Sequence, residues 1–365
     1  MLVRKNTSLW LVGLLAAGAL ALVAAGCGGG GGNEAAGTTA TGGGGATTGG
    51  GQTISVGLVT DTGGVDDRGF NQFSIAGLKQ AEQELGVKTR IYVSNTADDY
   101  LPNLTAAAED GADLVIAVGF LLAPSVIQVA QQFPDTDFAG VDHFYGGEGC
   151  EKQKTCTQPN ALGMQYPSEE SGYLAGIVAA MMTKSKTVST VGGIKIPPVD
   201  NWIAGYQQAV HDTDPSVKTL NQYSDTFTDE AKCKEIALDQ ISRGSDVVFQ
   251  VAGKCGLGAI DAACEKGKIA IGVDADQSAA GDCVLTSALK PLQASVFDEI
   301  KRYTEGNFQG GQNVYFGIQD LPDAELLAPF TGNVPQAVKD AVDAAKQKLA
   351  SGEINPPATL DKVTK

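Results

Sequence analysis

The chain has 365 residues, longer than one ordinary core and enough for two packed domains. Its 43 % hydrophobic and 19 % charged residues argue against wholesale disorder. A formal net charge of −16, from 26 basic and 42 acidic residues, repels phosphate backbones and argues against a nucleic-acid partner. With only two histidines, His143 and His211, there is little room for histidine-based metal or triad chemistry.

The N-terminus reads as an address. Arg4 and Lys5 precede an apolar run from Leu9 to Ala25, and small residues then lead to Cys27. A short positive segment, an apolar stretch and a small-residue exit make a secretory signal over residues 1–26. The stretch Ala24-Ala25-Gly26-Cys27 resembles the lipobox of bacterial lipoproteins, in which the thiol is diacylated and the chain is cut before it. That motif more often has Leu, Val or Ile where Ala24 stands. Acyl chains on Cys27 would anchor the protein to the outer face of the cell membrane, because two or more give stable attachment. Residues 28 to 53 contain 13 glycines, with Ala and Thr making up most of the rest. Such a segment buries too little apolar surface to order itself, so residues 27–53 are expected to act as anchor and tether with a reach of roughly 25–30 Å. No strand precedes these glycines and no Gly-Lys-Ser/Thr follows, which excludes a phosphate-cradling loop. Loss of Arg4 and Lys5 takes the formal charge of the processed chain to −18.

From residue 54 strands and helices alternate. The predicted order is strand 54–60, helix 70–85 stopped by Gly86, strand 90–94, helix 98–109, strand 113–119, helix 123–132, and strands 138–142 and 161–165. The pattern then restarts with helix 168–182, strand 188–193, helix 201–212, strand 217–223, helix 229–243, strand 246–252, helix 257–266 and strands 269–274 and 284–289. Near-continuous apolar strands in β-α-β order mean parallel, doubly wound sheets under helices. Two such sets give an α/β fold of two lobes. Helix 291–304, strand 314–319 and helix 335–350 can cross back and complete both. The expected division is 54–163 with 289–311 for the first lobe and 164–288 with 312–365 for the second.

In open parallel sheets ligands bind beyond the carboxyl ends of the strands. In order these ends are Asp61, Gly119-Phe120, Asp142-His143, Gly253 and Asp274. Three strands ending in Asp is more than turn or cap duty alone would ask, although any one of them could serve as a cap. Asp66 and Asp67 fit a cap for the helix that follows, and His143 fits a position at the surface or behind the site. Asp274-x-Asp276 lacks the rest of a calcium loop, and no metal or cofactor is expected.

Four motifs stand in order: Thr60-Asp61-Thr62-Gly63-Gly64-Val65-Asp66-Asp67-Arg68-Gly69-Phe70-Asn71-Gln72, then Phe249-Gln250-Val251-Ala252-Gly253, then Ile271-Gly272-Val273-Asp274-Ala275-Asp276-Gln277, then Val284-Leu285-Thr286-Ser287-Ala288-Leu289-Lys290. Together they resemble the basic membrane protein family, substrate-binding lipoproteins of ABC transporters, over about residues 54 to 350. The resemblance implies a two-lobed type I periplasmic-binding-protein fold, an interlobe cleft that binds nucleosides, an ABC permease as partner and no catalysis. It also implies roles. Asp61 would hydrogen-bond the base, Phe70 would stack on it, and Asn71 would help shape its site. Asp142 would supply a further polar contact, and Trp202 stands where the family usually has a second stacking Phe. Gly253, Asp274 and Lys290 would hold the ribose. The chemistry is consistent: a flat base calls for aromatic faces, and a carboxylate can accept from two vicinal hydroxyls. Acidic groups in the cleft would also reject the phosphate of a nucleotide. Two rivals stay open: a receptor for a sugar or other small polar signal, and a nucleoside hydrolase using Asp61 and Asp274. The protein is expected to be a monomer.

Six cysteines remain after Cys27, an even number that outside the cytoplasm suggests disulfides. Cys150 and Cys156 share one hydrophilic loop. Cys233 and Cys255 lie near the starts of successive helices on one sheet face, and Cys264 ends a helix whose chain soon reaches Cys283. The expected pairs are 150–156, 233–255 and 264–283.

Overall fold

The computed structural model describes residues 53–321 and 324–364. The expected signal segment, Cys27 and almost all of the tether lie outside the described residues.

The first sheet is built from β1 (Ser55–Val59), β2 (Lys88–Tyr92), β3 (Leu114–Val118), β4 (Asp137–Val141), β5 (Ala161–Gln165) and β11 (Asn313–Tyr315). The second is built from β6 (Thr187–Gly192), β7 (Lys218–Tyr223), β8 (Val247–Val251), β9 (Ile269–Asp274) and β10 (Val284–Leu289). Every pairing within both sheets is parallel. The first sheet runs β11-β5-β4-β3-β1-β2 and the second β10-β9-β8-β6-β7, so both lobes share one strand order. Each order reverses at one point, between β1 and β3 and between β6 and β8. There the following helices leave on opposite faces and a crevice opens.

The helices are α1 (Phe70–Leu85), α2 (Tyr100–Glu109), α3 (Ala123–Gln132), the short α4 (Cys150–Gln153), α5 (Ser168–Met182), α6 (Pro197–Thr213), α7 (Glu230–Ser242), α8 (Gly256–Glu265), α9 (Leu292–Thr304) and α10 (Gln336–Ala350). One face of the first sheet packs under α1 and α9 through Leu78, Val296 and Ile300, the other under α2 and α3 through Leu104 and Val126. The second sheet lies between α5, α6 and α10 on one face and α7 and α8 on the other. Burial on both faces explains the unbroken apolar runs of β3 and β8.

Three of the boundary differences from the sequence reading bear on the cleft and the lobes. α6 begins at Pro197 because proline lacks only an N–H that the first helical turn leaves unpaired, so the Pro197-Pro198 pair opens the helix instead of preceding it. The last strand is three residues long, because Gly317 turns the chain away and its carbonyl accepts from the N–H groups of Asp320 and Leu321. That strand and all of β5 pair in the first sheet, so the first lobe takes in residues 164–165 and 313–315, which the sequence reading assigned to the second. After it the chain returns to the second lobe, where Leu327 bridges antiparallel to Ala288 of β10.

α9 follows directly on Lys290 and seats on α1, which begins at Phe70, so this helix pair links two cleft positions. The contact depends on Gly77, where an added Cβ would lie 2.5 Å from the Gln293 carbonyl oxygen and 2.9 Å from Val296 Cβ. Alanine in a helix interior normally gains about 1 kcal/mol over glycine. Overpacking against a backbone carbonyl costs about 1–3 kcal/mol and should win. Gly77→Ala is therefore expected to lower unfolding stability in a urea titration; a rise by the helix-propensity amount would refute this packing.

Disulfides join Cys150 to Cys156, Cys233 to Cys255 and Cys264 to Cys283, the three pairs expected. The second fastens α7 to the turn before α8, and the third fastens the end of α8 to the start of β10. Among the described residues no helix is long and apolar enough to cross a membrane.

Candidate functional site

The two crevices face each other and enclose one cavity. Asp61, Phe70, Asp142, Trp202, Gly253, Asp274 and Lys290 all line it. Asn71 does not. It is fully buried behind Asp61, where its Nδ2 donates to Asp61 Oδ1 at 2.7 Å and its Oδ1 accepts from the Asp61 N–H at 3.2 Å. Asn71 therefore aims the carboxylate from behind.

Asp61 is further fixed by the Gly63 N–H, which donates to Oδ1 at 2.9 Å. Its other flank rests on Gly119, at the end of β3. Gly119 has φ +116°, and an added Cβ would lie 3.0 Å from Asp61 Cβ, so both the backbone conformation and the space require glycine. The Gly119 carbonyl accepts from His143 Nε2 at 2.7 Å. A carbonyl can only accept, so Nε2 carries the proton and Nδ1 accepts from the Tyr145 hydroxyl at 2.6 Å. Burial pushes the His143 pKa down to about 4, which keeps the ring neutral in this role. His143 thus stands behind the site and supports the turn that supports Asp61.

Asp67 caps α1: its carboxylate accepts from the N–H groups of Gly69, Asn71 and Gln72 at 3.1, 2.8 and 3.1 Å. It also lines the cavity, a place the cap reading did not foresee. The cap sets the start of the helix and so the position of Phe70.

Lys290 and Asp142 form a buried ion pair, with Nζ 2.7 and 3.0 Å from the two carboxylate oxygens and side chains 3 % and 7 % exposed. The family resemblance sets Lys290 beside Asp274 on the ribose, whereas its ammonium is paired with Asp142. Asp142 has φ +62° just past β4, and its carboxylate meets the ammonium where the chain crosses between lobes. Asp274 meets Lys290 through the backbone, its carbonyl accepting the Lys290 N–H at 3.0 Å. The ammonium also lies 5.1 Å from the ring centres of Phe70 and Tyr166 and 5.8 Å from that of Trp202. Such contacts favour a cation beside aromatic faces.

Burial raises Asp274 to about 7, with the Lys290 charge pulling it down and Asp142, Asp67 and Asp61 pushing it up. Burial likewise raises Asp61 to about 6, against hydrogen bonds from Gly63 and Asn71. Four carboxylates and the ammonium groups of Lys290 and Lys254 line the cavity. That balance disfavours an anion and suits a neutral ligand rich in hydrogen-bond donors. Trp202 is 2 % exposed and meets Phe249 edge-on, with ring centres 6.3 Å apart.

Phe227 and Lys254 also line the cavity, and sequence reasoning passed over both as site residues. Phe227 follows β7, whose end was not counted among the informative ones. Lys254 directly follows Gly253, and in that loop the resemblance gives a role to the glycine alone. Among the described residues no cluster of His, Cys, Asp or Glu could hold a metal ion.

A family model described as "ABC transporter substrate-binding protein PnrA-like" matches residues 54–352. The chain is 31 % identical over 325 residues to the CD4+ T-cell-stimulating antigen of Listeria monocytogenes, covering 83 % of this chain and 88 % of that one. It is 30 % identical over 328 residues to the ABC transporter nucleoside-binding protein BmpA of Lactococcus lactis, covering 84 % and 89 %. Among solved structures it resembles an ABC transporter solute-binding protein of Aeropyrum pernix, with a TM-score of 0.73 at 24 % identity over 84 % of this chain and 95 % of that one.

Proposed function

Because the chain belongs to the family of PnrA-like ABC transporter substrate-binding proteins, exported proteins that bind solute without chemistry, we propose that its solute is a nucleoside, foremost a purine nucleoside. It delivers that solute as a monomer to an ABC permease, and lipid on Cys27 anchors it to the outer face of the membrane. The observation that carries this reading is one cavity, at the switch points of both sheets, joining aromatic rings, Phe70 and Trp202 among them, to separate polar groups. Phe70 and Trp202 take the base faces, and Asp61, aimed by Asn71, takes its donor edge. Asp274, Gly253 and Lys290 take the ribose, with Lys290 already paired to Asp142.

Trp10 and Trp202 are the two tryptophans of the chain, and Trp10 lies in the segment expected to be removed. In the processed protein the indole emission then reports Trp202 alone. Adenosine, guanosine or inosine should change it saturably at one site per chain. Unchanged emission with every nucleoside, together with no displacement of a labelled nucleoside, would contradict the proposal. Nucleoside recovered unchanged after long incubation separates a binder from a hydrolase.

The two raised carboxylates give the reading a pH signature. Ligand donors favour the ionised forms, so binding must expel any protons held by Asp274, near 7, and Asp61, near 6. Affinity should therefore fall as the pH drops through those values, by at least about tenfold between pH 8 and pH 5.5. Asp274→Ala should weaken binding about tenfold or more at pH 8, about 1.4 kcal/mol, and flatten the profile above pH 6. A profile that rises toward acid would mean that these groups bind as donors.

A further inference from the structure

We propose that Gln277 is a latch between the lobes, a positioning residue that holds the cleft shut by gripping the backbone in front of the Phe70 helix. Gln277 is 3 % exposed and sits just past β9. Its own N–H donates to Ser287 Oγ at 3.0 Å. Its Oε1 accepts from Gln250 Nε2 at 2.6 Å and from the Val273 N–H at 3.1 Å. All three bonds lie within the second lobe, and the two to Oε1 lock the side chain. Its Nε2 then points across the cleft and donates to the Arg68 carbonyl, in the first lobe, at 3.3 Å. Backbone groups at both ends fix which way the amide lies, since Val273 N–H can only donate and the Arg68 carbonyl can only accept.

Among the described residues, the other side-chain hydrogen bonds near the junction of the lobes involve the crossing segments themselves, as with Lys290 to Asp142 and Tyr166 with Ser295. Gln277 makes the one that spans the cleft walls away from those crossings. What it grips is a special piece of chain. Arg68 has φ +55°, rare for a residue with a side chain, and lies between the Asp67 cap and Phe70. At the other end, Gln250 Oε1 accepts from the Ala252 N–H at 3.0 Å, one residue before Gly253. A continuous hydrogen-bonded line thus runs from the Gly253 loop through two buried glutamines to the start of α1. Closure and the placement of Phe70 over the cavity are coupled through it.

Gln277→Glu isolates the latch. One carboxylate oxygen still accepts from Gln250 and Val273, while the other meets the Arg68 carbonyl as acceptor against acceptor. The latch predicts a nucleoside dissociation rate raised about tenfold or more with an association rate within about twofold of wild type. It also predicts a larger radius of gyration by X-ray scattering for the ligand-free variant than for ligand-free wild type. A merely structural role would lower the melting temperature and leave dissociation rate and radius alone, and that result overturns the proposal. The kinetic arm rests on the nucleoside reading and the scattering arm does not, so if wild type binds no nucleoside the radius alone decides. Should the variant not fold, exchange of the Gln277 side-chain amide protons in wild type decides: protection supports the latch, and exchange at the rate of a free amide overturns it.

Discussion

Lys290→Met is expected to lower the stability of the protein by about 3–5 kcal/mol, the usual cost of stranding one member of a buried ion pair. The reason is local. Asp142 is 7 % exposed and shares its cavity with Asp61, Asp67 and Asp274, and the Lys290 ammonium is the cation on its carboxylate. Without it, four carboxyl groups share a poorly solvated space, and Asp142 is left buried without its cation. The double variant Lys290→Met, Asp142→Asn should recover most of the loss, because removing both charges also removes the desolvation penalty. Urea unfolding of the two variants measures both effects. A single variant as stable as wild type would show that the pair contributes nothing to the fold. Neither variant should bind nucleoside at wild-type affinity, since both lose the ammonium from the cavity wall.

Trp202→Ala should weaken nucleoside binding by about ten- to hundredfold, matching about 1–3 kcal/mol for one lost base–aromatic stack. It should also lower stability by about 3–5 kcal/mol, because the indole is 2 % exposed and lies in the core of the second lobe against Phe249. The two effects separate in Trp202→Phe. That ring keeps an aromatic face and should bind within about tenfold of wild type while still losing some core packing. If Trp202→Ala loses stability but keeps its affinity, the indole is core alone and the stacking role belongs elsewhere in the cleft.

The sheets were legible because each buried strand is a short apolar run and each helix carries its own stop, as with Gly86 after α1. Strand-end chemistry was legible for the same reason: once β1, β4 and β9 are placed, Asp61, Asp142 and Asp274 must project from their carboxyl ends. What escaped depends on contacts between distant segments. Asp142 and Lys290 are 148 positions apart, and nothing local marks them as partners. Asn71 stands on the same helix turn as Phe70, but only the fold turns it inward to Asp61 while Phe70 faces the cavity. The Gln277 bridge to Arg68 spans 209 positions and exists only when the two lobes meet. The three-residue β11 is too short for its pattern to fix an end, and its pairing with β5 is a tertiary fact.

Titration calorimetry of the processed protein with a panel of nucleosides, free bases, ribose and nucleoside 5′-monophosphates decides what the cavity binds. A cavity that stacks a base, grips a ribose and disfavours anions should bind a purine nucleoside at one site per chain. Free base and ribose should bind more weakly, and the monophosphate more weakly still. No saturable heat with any nucleoside, or ribose binding as tightly as the whole nucleoside, would contradict it.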